Sequence, residues 1–351
     1  MPFLKNVWYV AANAFELDQG LVSRKICNEQ VVMFRTGSGS VAALQDRCPH
    51  RFVPLSMGQR VGDTLQCGYH GLRFAADGRC AEMPNDRDNT VLAPCVRSYP
   101  AVERYGVVWL WMGAADLADP AKIPEFNFIT DTERYASAQG HLHIAANHQL
   151  IADNLLDLSH VHHLHPQLDS GAAFETFRNE VRVEGETIWS MLWRPSLVWD
   201  EARRKVHGFT SERVEGQGHS RWDAPGVILV FTAYWEQGKT AEEAMHSPSA
   251  HLLTPETEFT SHYFWAIGRS YNLQDEDETR QRAAMVKAVF ETQDAPMIEA
   301  QQVAMGAATD FLEQKPIILK ADAAGVMARR LMKRKQQAEA KGRDATVIAA
   351  E

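Results

Sequence analysis

Cys48-Pro49-His50, sixteen intervening residues, then Cys67-Gly68-Tyr69-His70: two cysteines and two histidines recur here in two matching short loops. Two thiolates on one iron and two neutral imidazoles on the other satisfy a 2Fe-2S cluster, and the imidazoles raise its potential above that of an all-thiolate cluster. Tetrahedral zinc takes the same residue types. However, the tight Cys-x-His half is not the usual zinc-finger spacing, and a zinc site would leave a second histidine cluster downstream unexplained. Strand-like runs flank both loops: Val7–Val10, Val31–Arg35, Val41–Leu44, Thr64–Gln66, Leu72–Phe74 and Val107–Trp111. Turn-forming Gly, Asp and Asn separate them, as in Thr36-Gly37-Ser38-Gly39, so this part reads as a small all-β domain.

The chain has 351 residues, more than one small redox module needs, and two domains are expected, at 1–125 and 126–351. A Pro-punctuated stretch from Ala114 to Pro124 reads as the linker. With 36 Lys+Arg against 45 Asp+Glu, the net charge of −9 argues against a nucleic-acid partner. No apolar run approaches a membrane span, and the first residues lack the regions of a signal peptide, so a cytoplasmic location is expected. Of the 5 cysteines, Cys27, Cys80 and Cys95 read as thiols rather than as a disulfide framework. The basic run Arg329-Arg330-Leu331-Met332-Lys333-Arg334-Lys335 reads as a solvated helix face, and less readily as a docking patch for an acidic reductase.

After the linker come a strand-like His141–His148 and an apolar-periodic helix from Leu150 to about Leu164, closed by Pro166. Residues 153–165 hold four of the 14 histidines and two aspartates. Asp153, Asp157 and His160 can share a helix face, as can Asn154 and Asp157. His160 and His165 would splay on an unbroken helix, but the stop at Pro166 lets His165 turn back; by spacing, His160 with His163 is an equally good pair. Two histidines and one carboxylate with open positions make a non-haem Fe(II) site. The carboxylate must come from elsewhere, and a long helical pattern from Asp275 to about Met305 offers Glu291, Asp294 and Glu299. Strands near Val181–Val183, Ile188–Trp193, Val227–Tyr234 and Ser261–Ile267, and a last helix over Ala321–Ala340, complete an α+β reading. Strands followed by helices disfavour a doubly wound parallel sheet.

Asn6-Val7-Trp8-Tyr9-Val10-Ala11, Cys48-Pro49-His50-Arg51, Cys67-Gly68-Tyr69-His70-Gly71-Leu72 and Asp153-Asn154-Leu155-Leu156-Asp157-Leu158-Ser159-His160 with His165 together resemble the oxygenase component of a Rieske non-haem iron oxygenase. The likeness covers nearly the whole chain and is strongest to the aromatic O-demethylases typified by vanillate and dicamba demethylases, a subgroup that Leu252-Leu253-Thr254-Pro255-Glu256-Thr257-Glu258 also fits. The resemblance implies an N-terminal Rieske domain and a START-like helix-grip catalytic domain. It implies His160, His165 and Asp294 as ligands of Fe(2+), and Asp157 as the acid bridging the two redox sites. Asn154 becomes a polar neighbour of the iron, and His251 a substrate contact; His162 and His163 are extra to the pattern. It further implies a homotrimer in which electrons cross between subunits, fed by a separate NAD(P)H-dependent flavin and iron–sulfur reductase. This chain has no Gly-rich dinucleotide loop after a strand.

The expected reaction is O-demethylation of a methoxylated aromatic acid with O2, vanillate giving protocatechuate and formaldehyde; ring hydroxylation of another aromatic is the alternative. A Rieske electron carrier of the respiratory type would need an extra cysteine in each loop and a membrane anchor. A plain ferredoxin would not need two hundred further residues bearing an acid/His cluster.

Overall fold

The computed structural model describes residues 3–84, 95–165 and 177–342. Contacts divide the chain into two units, residues 5–123 with 254–257, and residues 1–4, 124–253 and 258–351. The sequence reading placed one cut at 125/126; the structure adds the excursion 254–257, whose Pro255 and Glu256 carbonyls accept from the Cys27 and Asn28 amides at 2.8 and 2.9 Å.

The first unit is all β. β1 (Trp8–Asn13), β2 (Val22–Ile26), β3 (Glu29–Arg35), β4 (Val41–Gln45), β5 (Gln59–Val61), β6 (Thr64–Gln66), β7 (Arg73–Ala75), β8 (Cys80–Glu82), β9 (Ala101–Arg104) and β10 (Val107–Trp111) form three antiparallel sheets. Their orders are β1-β10-β9, β2-β3-β4 and β5-β6-β7-β8. One apolar cluster joins Val32, Phe34 and Leu44 to Leu65 and Phe74, and both Cys48 and Cys67 are part of it. The expected linker is not loose: the Trp8 indole donates to the Asp119 carbonyl at 2.9 Å.

The second unit begins with β11 (Ala136–Ile144), α1 (His148–Leu156) and α2 (Val161–Leu164). The strand ends earlier than its sequence suggested, because Asn147 accepts from the Gln149 amide and caps α1. Next come β12 (Arg178–Glu184), β13 (Thr187–Val198), α3 (Glu201–His207), β14 (Arg213–Asp223), β15 (Val227–Glu236), β16 (Met245–Pro255) and β17 (Ser261–Arg269). They make one seven-stranded sheet in the order β11-β17-β16-β15-β14-β13-β12. α4 (Glu276–Val289), α5 (Ala295–Met305) and α6 (Ala323–Ala340) complete the unit. α1 contacts α5, α6 and β14, so it lies between the sheet and the other helices. No helix among the described residues is long and apolar enough to cross a membrane.

Two expected helices are interrupted. The 150–164 helix stops at Leu156, since Asp157 is extended (φ −112°, ψ 94°) and starts a new 3-10 turn over Leu158–His160. The 275–305 helix contains a π-turn at Phe290–Asp294, where the Ala295 amide reaches back to the Phe290 carbonyl. Pro296, just inside α5, has no amide to continue the α pattern, and its ring crowds the carbonyl four residues back. Pro166, expected to close the first helix, lies outside the described residues.

The basic run in α6 is not uniformly solvated. Arg329 and Lys335 are buried, and each finds an acid: Arg329 forks onto Asp153, with Nη2 at 2.6 Å from Oδ2, and Lys335 reaches Glu186 at 2.6 Å. Only Arg330, Lys333 and Arg334 of the run's cations face solvent, and Lys333 pairs with Asp310 and Glu313.

Candidate active site

In the first unit the two Cys/His loops are built alike. The Cys48 amide donates to Val53 O and the Phe52 amide to Cys48 O; the Cys67 amide donates to Leu72 O and the Gly71 amide to Cys67 O. The fourth residue after each cysteine is therefore left-handed, with φ 63° at Phe52 and 76° at Gly71. Glycine adopts this conformation freely. Phe52 bears some strain there, and its exposed ring is covered by the Arg47 guanidinium 4.1 Å from the ring centroid. Asp46, unremarked in the sequence, is buried and accepts from Ser23 Oγ, Ser56 N and Ser56 Oγ at 2.6 to 2.7 Å, which pins the start of the Cys48 loop.

Both thiols are buried, while the His50 and His70 rings meet edge to face, centroids 4.5 Å apart, on the outer side. Burial pushes the Cys48 thiol up, with the neighbouring Cys67 adding to the rise. Bare thiolates would be costly here, whereas iron exchanges for their protons. The donor set fits a 2Fe-2S group with its sulfur side sealed and its imidazole side outward.

In the second unit His160, His165 and Asp294 bring one ligand atom each within 4.8 Å of one another. The breaks in the helices make this possible. The kink at Asp157 turns the 3-10 segment so that His160 and His165 converge, with ring centroids 5.2 Å apart, and the π-turn presents Asp294. Asp294 Oδ1 lies 3.1 Å from His165 Nε2 and 3.5 Å from His160 Nε2.

Each ring is held from behind. His165 Nδ1 is 2.6 Å from Gln293 Oε1, and His160 Nδ1 is 2.6 Å from the Asp157 carbonyl, so each Nδ1–H donates outward and each Nε2 faces Asp294. Burial raises the Asp294 carboxyl, but its contacts with His160 and His165 outweigh this and bring it down to about 2. A buried carboxylate facing the Nε2 atoms of two imidazoles, with no fourth His, Cys, Asp or Glu ligand among the described residues, is a donor set for Fe(II) with open positions.

The other expected residues are placed as follows. Asn154 Nδ2 donates to Asp294 Oδ1 at 3.1 Å, and its buried Oδ1 has no partner among the described residues. Asp157, expected to bridge the two redox sites, touches the His160 ring with its main-chain carbonyl and not with its carboxylate. The carboxylate accepts from the Ser159 amide at 2.8 Å, and it lines a cavity of about 230 Å³ with Asn154 and His160. His163 does not join the triad, and its ring packs on His162. Of the other two acids, Glu299 accepts from the Ala145 amide and Glu291 pairs with Lys287. His251 is buried, with Nδ1 2.6 Å from Tyr263 Oη and Nε2 2.8 Å from Ser249 Oγ. Burial lowers its pKa to about 4, so the ring is neutral.

Ser249 lines a larger cavity, about 350 Å³, while His251 stands behind it. Leu158 and Val161, either side of His160, border this cavity along with Val230, Ile267, Met285 and Val286. The sequence had not singled out Gln293, Tyr263 or Ser249. Only Gln293 carried a signal, as the neighbour of Asp294.

Residues 144–338 match the vanillate O-demethylase oxygenase C-terminal domain, and residues 7–100 match the Rieske [2Fe-2S] domain. The chain belongs to the Rieske non-haem iron oxygenases of the vanillate O-demethylase type. It is 36% identical to the oxygenase component of chloroacetanilide N-alkylformylase from Rhizorhabdus wittichii, covering 99% of both chains. It is 34% identical to the oxygenase component of dicamba O-demethylase from Stenotrophomonas maltophilia, covering 97% of this chain and 100% of that one. Dicamba monooxygenase bound to 3,6-dichlorosalicylic acid superposes with a TM-score of 0.89 at 33% identity, over 96% of this chain and 99% of that one. The same enzyme with non-haem iron and dicamba gives 0.81 at 32% identity, over 97% and 100%. The protein is thus the oxygenase component of a Rieske monooxygenase system, with a 2Fe-2S cluster and Fe(2+) as cofactors.

Proposed function

We propose that this oxygenase removes the methyl group of a methoxylated aromatic acid, with vanillate as substrate and protocatechuate and formaldehyde as products. The observation that carries this reading is the 350 Å³ cavity beside the His160 segment, whose lining combines apolar side chains with three arginines and no acid among the described residues. An aromatic ring with one anionic substituent matches such a lining. Cys48, Cys67, His50 and His70 hold the cluster in this reading, and His160, His165 and Asp294 hold the catalytic iron.

When bound, the iron supplies the dioxygen chemistry, with two electrons and two protons entering for each O2. One oxygen atom goes to the methyl carbon and the other to water; the hydroxylated methoxy group then splits into a phenol and formaldehyde. The chain's own residues orient and exclude. Val230, Ile267 and Val286 hold the ring and keep water out, Gln293 and the Asp157 carbonyl fix the imidazoles, and Asn154 holds Asp294. We further propose a cytoplasmic homotrimer served by a flavin and iron–sulfur reductase using NADH or NADPH. In it, Asp157 links His70 of one subunit, through its carboxylate, to His160 of the next, whose ring its main-chain carbonyl holds.

The test is turnover of vanillate with reductase, reduced nicotinamide and O2. One formaldehyde for each O2 consumed is expected. A ring-hydroxylated or cis-diol product without formaldehyde would replace this reading with ring oxidation.

A further inference from the structure

Three arginines line the 350 Å³ cavity, and two are already engaged. Arg269 donates to the Tyr271, Asn272 and Asp275 carbonyls and to Thr279 Oγ1. Arg282 pairs with Glu278 at 2.8 Å. Arg194 differs from both: among the described residues its buried Nη1 has no hydrogen-bond partner and no carboxylate pairs with it. A desolvated guanidinium N–H without an acceptor is costly, more so because it is charged, so such a group points to an anionic partner.

The sheet shows where that anion would sit. On its inner face Arg194, Gly216, Tyr234 and Met245 form one row, Leu192, Gly218, Thr232 and Ser247 the next, and Ser190, Ser220, Val230 and Ser249 the third. The third row is the iron end: Ser220 donates to the Leu155 carbonyl of α1, and Ser249 bonds His251. Arg194 folds back from its own row over Gly218, where an added Cβ would lie 3.0 Å from Nη1. The rings of Phe177 and Tyr234 stand 5.6 and 5.8 Å from the guanidinium carbon. Same-face rows are about 7 Å apart, roughly the width of a substituted benzene ring.

We infer that Arg194 is the anchor for the substrate's anionic group, a carboxylate or sulfonate on an aromatic ring, held so that the opposite edge of the ring faces the iron end of the cavity. The inference rests on the aromatic-acid reading above and names the residue that makes the acid group matter. Gly218 of β14 serves it by leaving room for the guanidinium, and Gly216 by leaving room for the Tyr234 ring beside it. A planar fork suits a planar carboxylate, and lysine does not replace it.

Calorimetric titration of the cluster- and iron-loaded enzyme with vanillate, 3-methoxybenzoate and toluene-4-sulfonate, each against its neutral ester or amide, tests this. The wild type should prefer each anion. Arg194→Gln should weaken anion binding about 10- to 100-fold and leave the neutral forms within about twofold. Arg194→Lys should fall between, and Gly218→Val, which fills the guanidinium's place, should lose the preference with Arg194 intact. In turnover KM should carry the loss and kcat should hold. Melting curves and the cluster spectrum report whether each variant folds. Equal anion affinity in Arg194→Gln, or no anion preference in the wild type, overturns the assignment. If Arg194 proves essential for binding but vanillate gives no formaldehyde, the demethylation reading fails and the anchor stands.

Discussion

Gln293 and the Asp157 carbonyl do the same work on two different rings: each takes an Nδ1–H and leaves Nε2 to face Asp294. A carbonyl of the main chain is not removable by substitution, but the amide of Gln293 is. Gln293→Leu should therefore free His165 to rotate and to change tautomer, and should weaken iron binding about 10- to 100-fold. Iron analysis after dialysis at limiting Fe(II) checks this, with the visible cluster spectrum unchanged as the control. Retained iron at the wild-type level would mean that packing alone orients His165, which is almost fully buried.

At the scale of the element, both halves of the candidate iron site depend on irregular helix. A π-turn inserts an extra residue in one turn, and such turns recur at functional sites. Removing Thr292, an exposed residue within Phe290–Asp294, should restore a regular helix and rotate Asp294 away from the two imidazoles. The variant should fold and keep its cluster but lose mononuclear iron and more than 99% of turnover, roughly the 2.7 kcal/mol that a hundredfold represents. Iron content near one mononuclear ion per chain would show that the turn is incidental.

The same irregularities explain what the sequence concealed. The Cys/His loops were legible because local spacing determines them, and β10 was read at its observed limits, Val107–Trp111. β14 was missed because its buried positions include Gly216, Gly218 and Ser220, so its alternation in burial is invisible as alternation in hydrophobicity. The acid partner could not be chosen among Glu291, Asp294 and Glu299 by any helical rule, since the π-turn breaks the rule. Arg194 gave no signal until the sheet placed it over Gly218.

For the whole molecule, the question is how two metal sites that lie in separate units of one chain work as one enzyme. His50 and His70 end the first unit's loops on its outer side, and Asp157 lines a 230 Å³ cavity beside His160 in the second. If Asp157 links cluster and iron across subunits, its charge matters and its capping role does not. Asn caps a helix about as well as Asp, so Asp157→Asn separates the two roles. The variant should melt within about 0.5 kcal/mol of the wild type, retain both metals, and accept electrons from the reductase at the normal rate. Stopped-flow mixing of the reduced, substrate-bound enzyme with O2 should then show cluster reoxidation at least a hundredfold slower. Asp157→Ala should add a stability loss of about 1 kcal/mol from the missing cap, without slowing reoxidation further. Wild-type reoxidation in Asp157→Asn, or full activity in a monomer isolated by sedimentation, would place the electron path elsewhere, because no charged carboxylate or neighbouring subunit would then be needed.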